Sequence, residues 1–152
     1  MFERVKLSDI CDFERGLTYS KGDEVPISNN VVLRANNITL DTNELNFDDL
    51  KYINNSIKIK DSKILKKNSI LICTASGSKS HLGKVAFVEE ELGYAFGGFM
   101  AQLTPNSRVV PKFLYYLLIS PLFKEHLKNL SDGTNINNLK FSDIENFEFQ
   151  IP

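Results

Sequence analysis

The residues with chemistry to offer are two cysteines, two histidines and a serine-, glycine- and lysine-rich segment between Thr74 and Lys84. Gly77 to Lys84 resembles a phosphate-binding loop, in which glycines let backbone N–H groups cradle phosphates and a lysine reaches the outer ones. The spacing does not fit. Five residues rather than four separate Gly77 from Gly83, and Val85 stands where a Ser or Thr would hold magnesium. Ser78 or Ser80 beside His81 suggests a nucleophile with its base, but neighbours on a loop rarely hold hydrogen-bond geometry, and no acid is adjacent to orient the ring. Cys11 and Cys73 form no CxxC pair, and with His81 and His126 they lack the spacing of zinc ligands. They are expected to be reduced thiols. No methyltransferase tetrad, nuclease cluster of acids and lysine, or GxGxxG is present. The chain reads as a binder, not an enzyme, with no catalytic residue, cofactor or metal of its own.

The same segment offers recognition instead. Ala75 to His81 are seven small or polar residues with nothing to bury, so they are expected to form an exposed loop between core strands. Ser76, Gly77, Ser78, Lys79, Ser80, His81 and Lys84 are its candidate contacts. Arg34, Asn36 and Asn37 form a second group, because arginine pairs with guanine and asparagine with adenine in the DNA major groove. The alternative is that the two asparagines only form a turn. Thr134 and Asn135 lie in a third polar stretch, Ser131–Asn138, and Gln102 completes the set of possible base readers. Lys66 and Lys67 belong to a run of eight lysines and one acid between Lys51 and Lys84, which suits a polyanion or is simply a solvated surface. Gly97 and Gly98 either permit close approach to a duplex or mark a bulge in a strand.

The elements that must position these groups follow from periodicity. Ile70-Leu71-Ile72, Val85-Ala86-Phe87-Val88 and Phe99-Met100-Ala101 with Leu103 read as buried or half-buried strands. Strands are expected near 31–34, 69–74, 83–89, 95–103 and 147–151, and helices near 8–14, 112–119 and 121–130. In the first helix Ser8 is the expected N-cap and Gly16 the left-handed residue beyond its end, with Leu7, Ile10 and Phe13 facing the core. Pro111 suits the first turn of one helix and Ser120-Pro121 the start of the next. Leu122, Phe123, His126, Leu127 and Leu130 share one face, which makes His126 a packing or surface residue. Residues 54–63 allow either helix or strand. The fold class is α+β, a single domain with a curved, mainly antiparallel or mixed sheet and a few short helices.

At 152 residues the chain is long enough for one domain with a proper core. No run approaches the roughly 18 apolar residues that span a membrane, and the N-terminus lacks a signal-peptide pattern, so a cytoplasmic protein with no membrane partner is expected. The net charge of −1 hides an asymmetry: residues 1–50 hold five Lys/Arg against ten Asp/Glu, and residues 51–152 hold thirteen against nine. An isoelectric point near 6.1 is low for a free-standing DNA binder, so other subunits are expected to share the phosphate contacts.

The order of short motifs is more specific than any one of them. Val5-Lys6-Leu7-Ser8-Asp9-Ile10, Gly16, Leu33-Arg34-Ala35-Asn36-Asn37-Ile38, Leu65-Lys66-Lys67-Asn68-Ser69-Ile70-Leu71, Ser76-Gly77 with Leu82-Gly83-Lys84-Val85-Ala86, Phe113–Leu118, Asp132-Gly133-Thr134 with Leu139, and Phe149-Gln150-Ile151-Pro152 follow one another across essentially the whole chain. That series resembles one target recognition domain of the DNA-specificity subunit of type I restriction–modification systems. The family usually has Gly-Asp where this chain has Asn68-Ser69, which leaves the conformation of that turn open. It also continues past the final Ile-Pro into a spacer helix, which a chain ending at Pro152 lacks; the sequence is either cut there or a stand-alone domain, 1–152. The resemblance implies sequence-specific binding of double-stranded DNA that directs a type I complex to one half of a bipartite target. It further implies methyltransferase subunits that bind S-adenosylmethionine and an ATP-driven restriction and translocation subunit as partners, with none of those cofactor sites on this chain. The competing readings are a non-catalytic protein- or carbohydrate-interaction module, and the recognition segment of a fused restriction–methylation enzyme.

Overall fold

In the computed structural model, which describes residues 2–76, 81–130 and 138–152, strand Ile70–Cys73 is buried at every position. That explains why its sequence shows no alternation. Successive side chains point to opposite faces of a strand, and here both faces are covered. Ile70 and Ile72 join one apolar cluster with Leu114, Leu118 and Phe123, while Leu71 and Cys73 join another with Val31, Leu33 and Phe96. Val85–Phe87 behaves in the same way, with Val85 and Phe87 on the helical side and Ala86 on the other. These strands lie in a four-stranded antiparallel sheet in the order Cys11–Arg15, Met100–Pro105, Ile70–Cys73, Val85–Phe87.

A second four-stranded sheet runs Ala95–Phe96, Asn30–Leu33, Lys51–Ile53, Glu24–Val25. Its first pair is parallel and the others antiparallel. Glu3–Lys6 pairs with Glu148–Ile151, and Ile38–Thr39 with Glu44–Leu45. The chain is α+β with mainly antiparallel pairing, as expected, and the described strands are divided among four sheets. The helices are α1 (Pro111–Leu118), α2 (Pro121–Leu130) and α3 (Phe141–Glu145). Pro111 opens α1 where its missing N–H costs nothing. His126 is half-buried against α3 and Phe147: its Nε2 lies 2.7 Å from the carbonyl of Asp143 and its ring 5.0 Å from that of Phe147.

Three expectations change. The helix expected over 8–14 is a single 3-10 turn, Leu7–Asp9, followed by strand Cys11–Arg15. One such turn already buries Leu7 and Ile10 together, and the alternation of apolar and polar residues after it meets Met100–Pro105 edge to edge. Gly16 therefore caps no helix. It lets two backbones touch: a Cβ there would lie 1.8 Å from the carbonyl oxygen of Gly97. The strand expected over 95–103 is broken at Gly97-Gly98-Phe99, where the chain leaves one sheet and enters the other. The glycine pair is thus a junction between sheets rather than a bulge within one strand.

Segment 54–63 contains only turns and the 3-10 helix Asp61–Lys63. Asn68 adopts a left-handed φ of 69°, a region that asparagine tolerates better than most residues with a side chain. The turn before Ile70 thus keeps a glycine-like conformation without glycine.

Candidate functional site

The junction at Gly97 builds the site. Gly16 N–H donates to Met100 O at 2.9 Å, Leu17 N–H to Phe96 O at 2.7 Å, and Gly97 N–H to Leu33 O at 3.0 Å. Three segments distant in sequence are thereby held side by side where the two larger sheets meet. Between them opens a cleft of about 660 Å³ whose lining includes Tyr19, Lys21, Arg34, Asn36, Ser76 and Phe99. Arg34 and Asn36 belong to one candidate group and Ser76 to another, and the fold brings them to one place.

One carbonyl organises the turn that carries the first group. The backbone oxygen of Asp49 accepts from Arg34 Nη2 at 3.4 Å, Asn36 Nδ2 at 3.2 Å and Asn37 Nδ2 at 3.1 Å. Asn37 is wholly buried. Its Nδ2 also donates to Asn46 O, and its Oδ1 accepts from Arg34 N–H. Its amide is absorbed in shaping the turn. Asn36 on the same turn is exposed, and Arg34 keeps about a third of its side chain in solvent. The Arg34 guanidinium lies 3.5 Å from the exposed Asp49 carboxylate, while its Nε is buried without a hydrogen-bond partner. A buried donor left unpaired is unfavourable, so holding Arg34 in this pose carries an energetic cost.

Gln102 is also part of the framework. It is 3% exposed; its Oε1 accepts from Lys66 N–H at 2.7 Å, and Nε2 lies 3.3 Å from Ile64 O. Ser69 Oγ is 2.7 Å from the same Oε1 and 2.6 Å from Lys66 O. Neither Gln102 nor Asn37 presents an amide at the surface. Burying polar groups demands such partners, and that demand accounts for both residues.

The lysine run is spread over the surface and partly neutralised. Lys51 pairs with Glu24 at 3.3 Å, Lys63 with Glu14 at 2.6 Å and Lys66 with Asp61 at 2.7 Å. Lys66 and Lys67 precede strand Ile70–Cys73, whereas Ala75 and Ser76 of the cleft follow it. Lys84 lies at the Ser76 end, since Cys73 N–H donates to Lys84 O at 2.9 Å and Gly83 N–H to Cys73 O at 2.8 Å. His81 belongs to the same end, its carbonyl accepting from Lys84 N–H at 3.0 Å. Gly83 takes a φ of 79°, and a Cβ on it would meet Leu127 at 2.4 Å, so the exit of this loop is tied to α2. Gly77, Ser78, Lys79, Ser80, Thr134 and Asn135 lie outside the described residues. The described neighbours of those stretches meet: Ala75 and Asn138 form an antiparallel bridge, and Leu139 N–H donates to Thr74 O at 2.6 Å.

Tyr19, Lys21 and Phe99 of the cleft were not anticipated. Tyr19 and Lys21 sit in a stretch whose composition shows only a loop. Phe99 reads as the start of an apolar strand, and the glycine pair before it is the one signal that it stands outside. Burial and then the negative charge of Glu24 push the Tyr19 hydroxyl above its ordinary pKa, with Arg34 opposing, so it is a neutral donor at physiological pH. Glu24 also borders the cleft and is paired with Lys51, as Arg34 is with Asp49; the charged residues of the lining are Lys21 and Arg34 against Glu24, a small positive excess. A separate groove of about 520 Å³ is lined by Glu44, Glu89 and Glu90 against Lys112; its charge is wrong for a polyanion. Among the described residues no cluster of His, Cys, Asp and Glu could hold a metal ion, and no helix is long and apolar enough to cross a membrane.

Over residues 1–152 the chain matches the family described as the type I restriction modification DNA specificity domain. It is 30% identical over 141 residues to the StySPI type I restriction enzyme specificity subunit of Salmonella potsdam, covering 91% of this chain and 28% of that protein. The EcoKI specificity subunit of Escherichia coli strain K12 matches to the same extent, 30% over 141 residues with 91% and 28% covered. This chain therefore spans only 28% of the length of these two relatives. Among solved structures, the HsdS subunit from Thermoanaerobacter tengcongensis aligns over 99% of this chain and 33% of its own, with a TM-score of 0.67 and 16% identity. The type I restriction-modification system S subunit from M. genitalium aligns with a TM-score of 0.64 and 14% identity, over 99% of this chain and 34% of its own. These two likenesses show a shared fold.

Proposed function

This chain belongs to the type I restriction modification DNA specificity domain family, and from that membership we propose that it binds double-stranded DNA sequence-specifically, directing a type I restriction–modification complex to one half of a bipartite target. The observation that carries the reading is the convergence of Arg34, Asn36 and Ser76 on one cleft. Arginine and asparagine are the side chains whose paired donors and acceptors match guanine and adenine edges. Arg34 keeps about a third of its side chain in solvent, and Asn36 is exposed on the same turn. The serine-, lysine- and histidine-bearing segment 76–84 and the polar stretch around Thr134 and Asn135 supply further contacts to bases and phosphates. The exposed lysines Lys58, Lys60 and Lys67 add a sequence-independent phosphate term. Asn37, Gln102 and Ser69 hold the frame.

The chain does no chemistry itself. Methyl transfer and cleavage belong to partner methyltransferase and restriction–translocation subunits, which would act with it in the cytoplasm, where the DNA is. The test is selection from a random-sequence duplex pool by the chain assembled with its methyltransferase partners, followed by binding of the enriched duplex at several salt concentrations. A DNA binder enriches a motif and loses affinity steeply with salt, because each neutralised phosphate releases counterions. An interaction module for protein or carbohydrate enriches nothing.

A further inference from the structure

We propose that Phe99 is an apolar wedge that stacks on or inserts between base pairs of the bound duplex, so that the cleft reads DNA deformation as well as base edges. The inference rests on the DNA-binding reading above and deepens it. Phe99 is 72% exposed, which leaves most of an aromatic ring in water without a packing role. Among the large exposed hydrophobic residues only Phe99 lines the cleft with Arg34, Asn36 and Ser76; Phe2, Ile27, Phe47, Val110, Tyr116 and Leu122 lie elsewhere among the described residues.

Its backbone is held firmly although its ring is free. Phe99 O accepts from Thr74 N–H at 2.9 Å, Ala75 N–H at 3.2 Å and Thr74 Oγ at 3.0 Å. Two residues earlier, Gly97 N–H is bound to Leu33 O, and Gly97 O accepts Met100 N–H at 2.9 Å. The residue is thus braced against both larger sheets, and little backbone entropy remains to be lost when the ring is used. The same bonds tie Phe99 to Thr74 and Ala75, which lead into Ser76, so the ring and the polar groups of the cleft share one rigid frame.

DNA supplies an occupant that fits both parts. Its charged backbone suits Lys21, the cation that lines the cleft beside the base-reading Arg34, and its stacked bases offer the flat apolar faces that a phenyl ring accepts. Proteins that insert apolar side chains between base steps unstack and kink the duplex, and the unstacking is offset by the contacts that the bend allows. Some sequence preference then comes from the flexibility of the step that opens.

The experiment places 2-aminopurine at successive positions of the duplex that the wild-type chain enriches from a random pool, and compares wild type, Phe99→Ala and Phe99→Trp. Wild type should brighten the probe at one or two adjacent positions, because unstacking relieves quenching. Phe99→Ala should abolish the signal and weaken binding roughly 5- to 150-fold, the range that follows from stacking energies, with an unchanged melting profile because an exposed ring is removed. Phe99→Trp should keep both signal and affinity. If wild type binds with no brightening at any position, or Phe99→Ala behaves as wild type, the wedge is refuted while DNA binding stands. If wild type, assembled with its methyltransferase partners, enriches no duplex at all, the underlying reading fails and the wedge with it.

Discussion

The side-chain oxygen of Asn37 accepts the backbone N–H of Arg34 at 2.9 Å. Two residues that look equivalent in sequence as base readers therefore have different jobs: one holds the turn from inside, and the other is held by it with its guanidinium at the cleft. Asn37→Ala should break that turn. It deletes three hydrogen bonds from a buried amide and leaves Arg34 N–H and the carbonyls of Asn46 and Asp49 with partners lost. The expected cost is about 2–4 kcal/mol of stability, seen as a lower denaturant midpoint. A variant as stable as wild type would show that water replaces the amide.

Gly16→Ala should be among the most damaging small substitutions in the chain. Its Cβ would clash with the Gly97 carbonyl oxygen at 1.8 Å, forcing apart the two backbones next to Leu17 and Gly97 of the cleft. A loss of about 2–4 kcal/mol is expected from such overpacking. Gly22→Ala, whose nearest neighbour is 3.9 Å away, serves as the control and should shift the thermal midpoint little.

Asn68 carries the left-handed turn before Ile70. Asn68→Ala should cost about 1–2 kcal/mol, the penalty of that region for an ordinary side chain. Asn68→Gly should match or slightly exceed wild-type stability in urea titrations, because glycine adopts the same φ freely. The reverse order would mean that the asparagine side chain, rather than its backbone, matters here.

The two cysteines give a pH signature. Burial, helped by the charge of Asp12, pushes the Cys11 thiol from an ordinary 9.0 to about 12, and burial pushes Cys73 to about 11. Both stay neutral when folded, while the unfolded chain ionises them near its ordinary value. Each therefore contributes stability that is complete below pH 9 and is lost as pH rises towards 11 for Cys73 and 12 for Cys11. Native protein at pH 8 should not react with a thiol reagent until it unfolds. Rapid labelling of either cysteine under native conditions would contradict its burial.

How much of this was legible in the sequence depended on what each residue's neighbours had to be. Ile70–Cys73 and Val85–Phe87 were readable because strands covered on both faces need unbroken apolar runs. Pro111 and Pro121 were readable because proline suits few positions other than a helix start. The helix expected at residues 8–14 was wrong because Leu7 and Ile10 are three apart, which one 3-10 turn satisfies as well as a helix does. Of the residues lining the cleft, Arg34, Asn36 and Ser76 stand out by type as candidates, but nothing local to them shows that they meet. Asn37 and Gln102 carry the same amide as any base reader. Only tertiary position decides whether such an amide satisfies buried backbone or faces a ligand. Phe99 was hidden by the run it begins, since the change of sheet at Gly97 is a long-range event.

If the Arg34 cleft reads DNA sequence, the affinities of wild type and Arg34→Ala should diverge on the enriched duplex much more than on a scrambled one. Losing a bidentate base contact should weaken binding to the enriched duplex by about 1–3 kcal/mol and relax specificity at one position. Affinity for the scrambled duplex, which rests on phosphate contacts, should fall far less, and the melting temperature should stay close to that of wild type. Equal affinity of Arg34→Ala and wild type for the enriched duplex, or an equal loss on both duplexes, would contradict the account and place sequence reading outside this cleft.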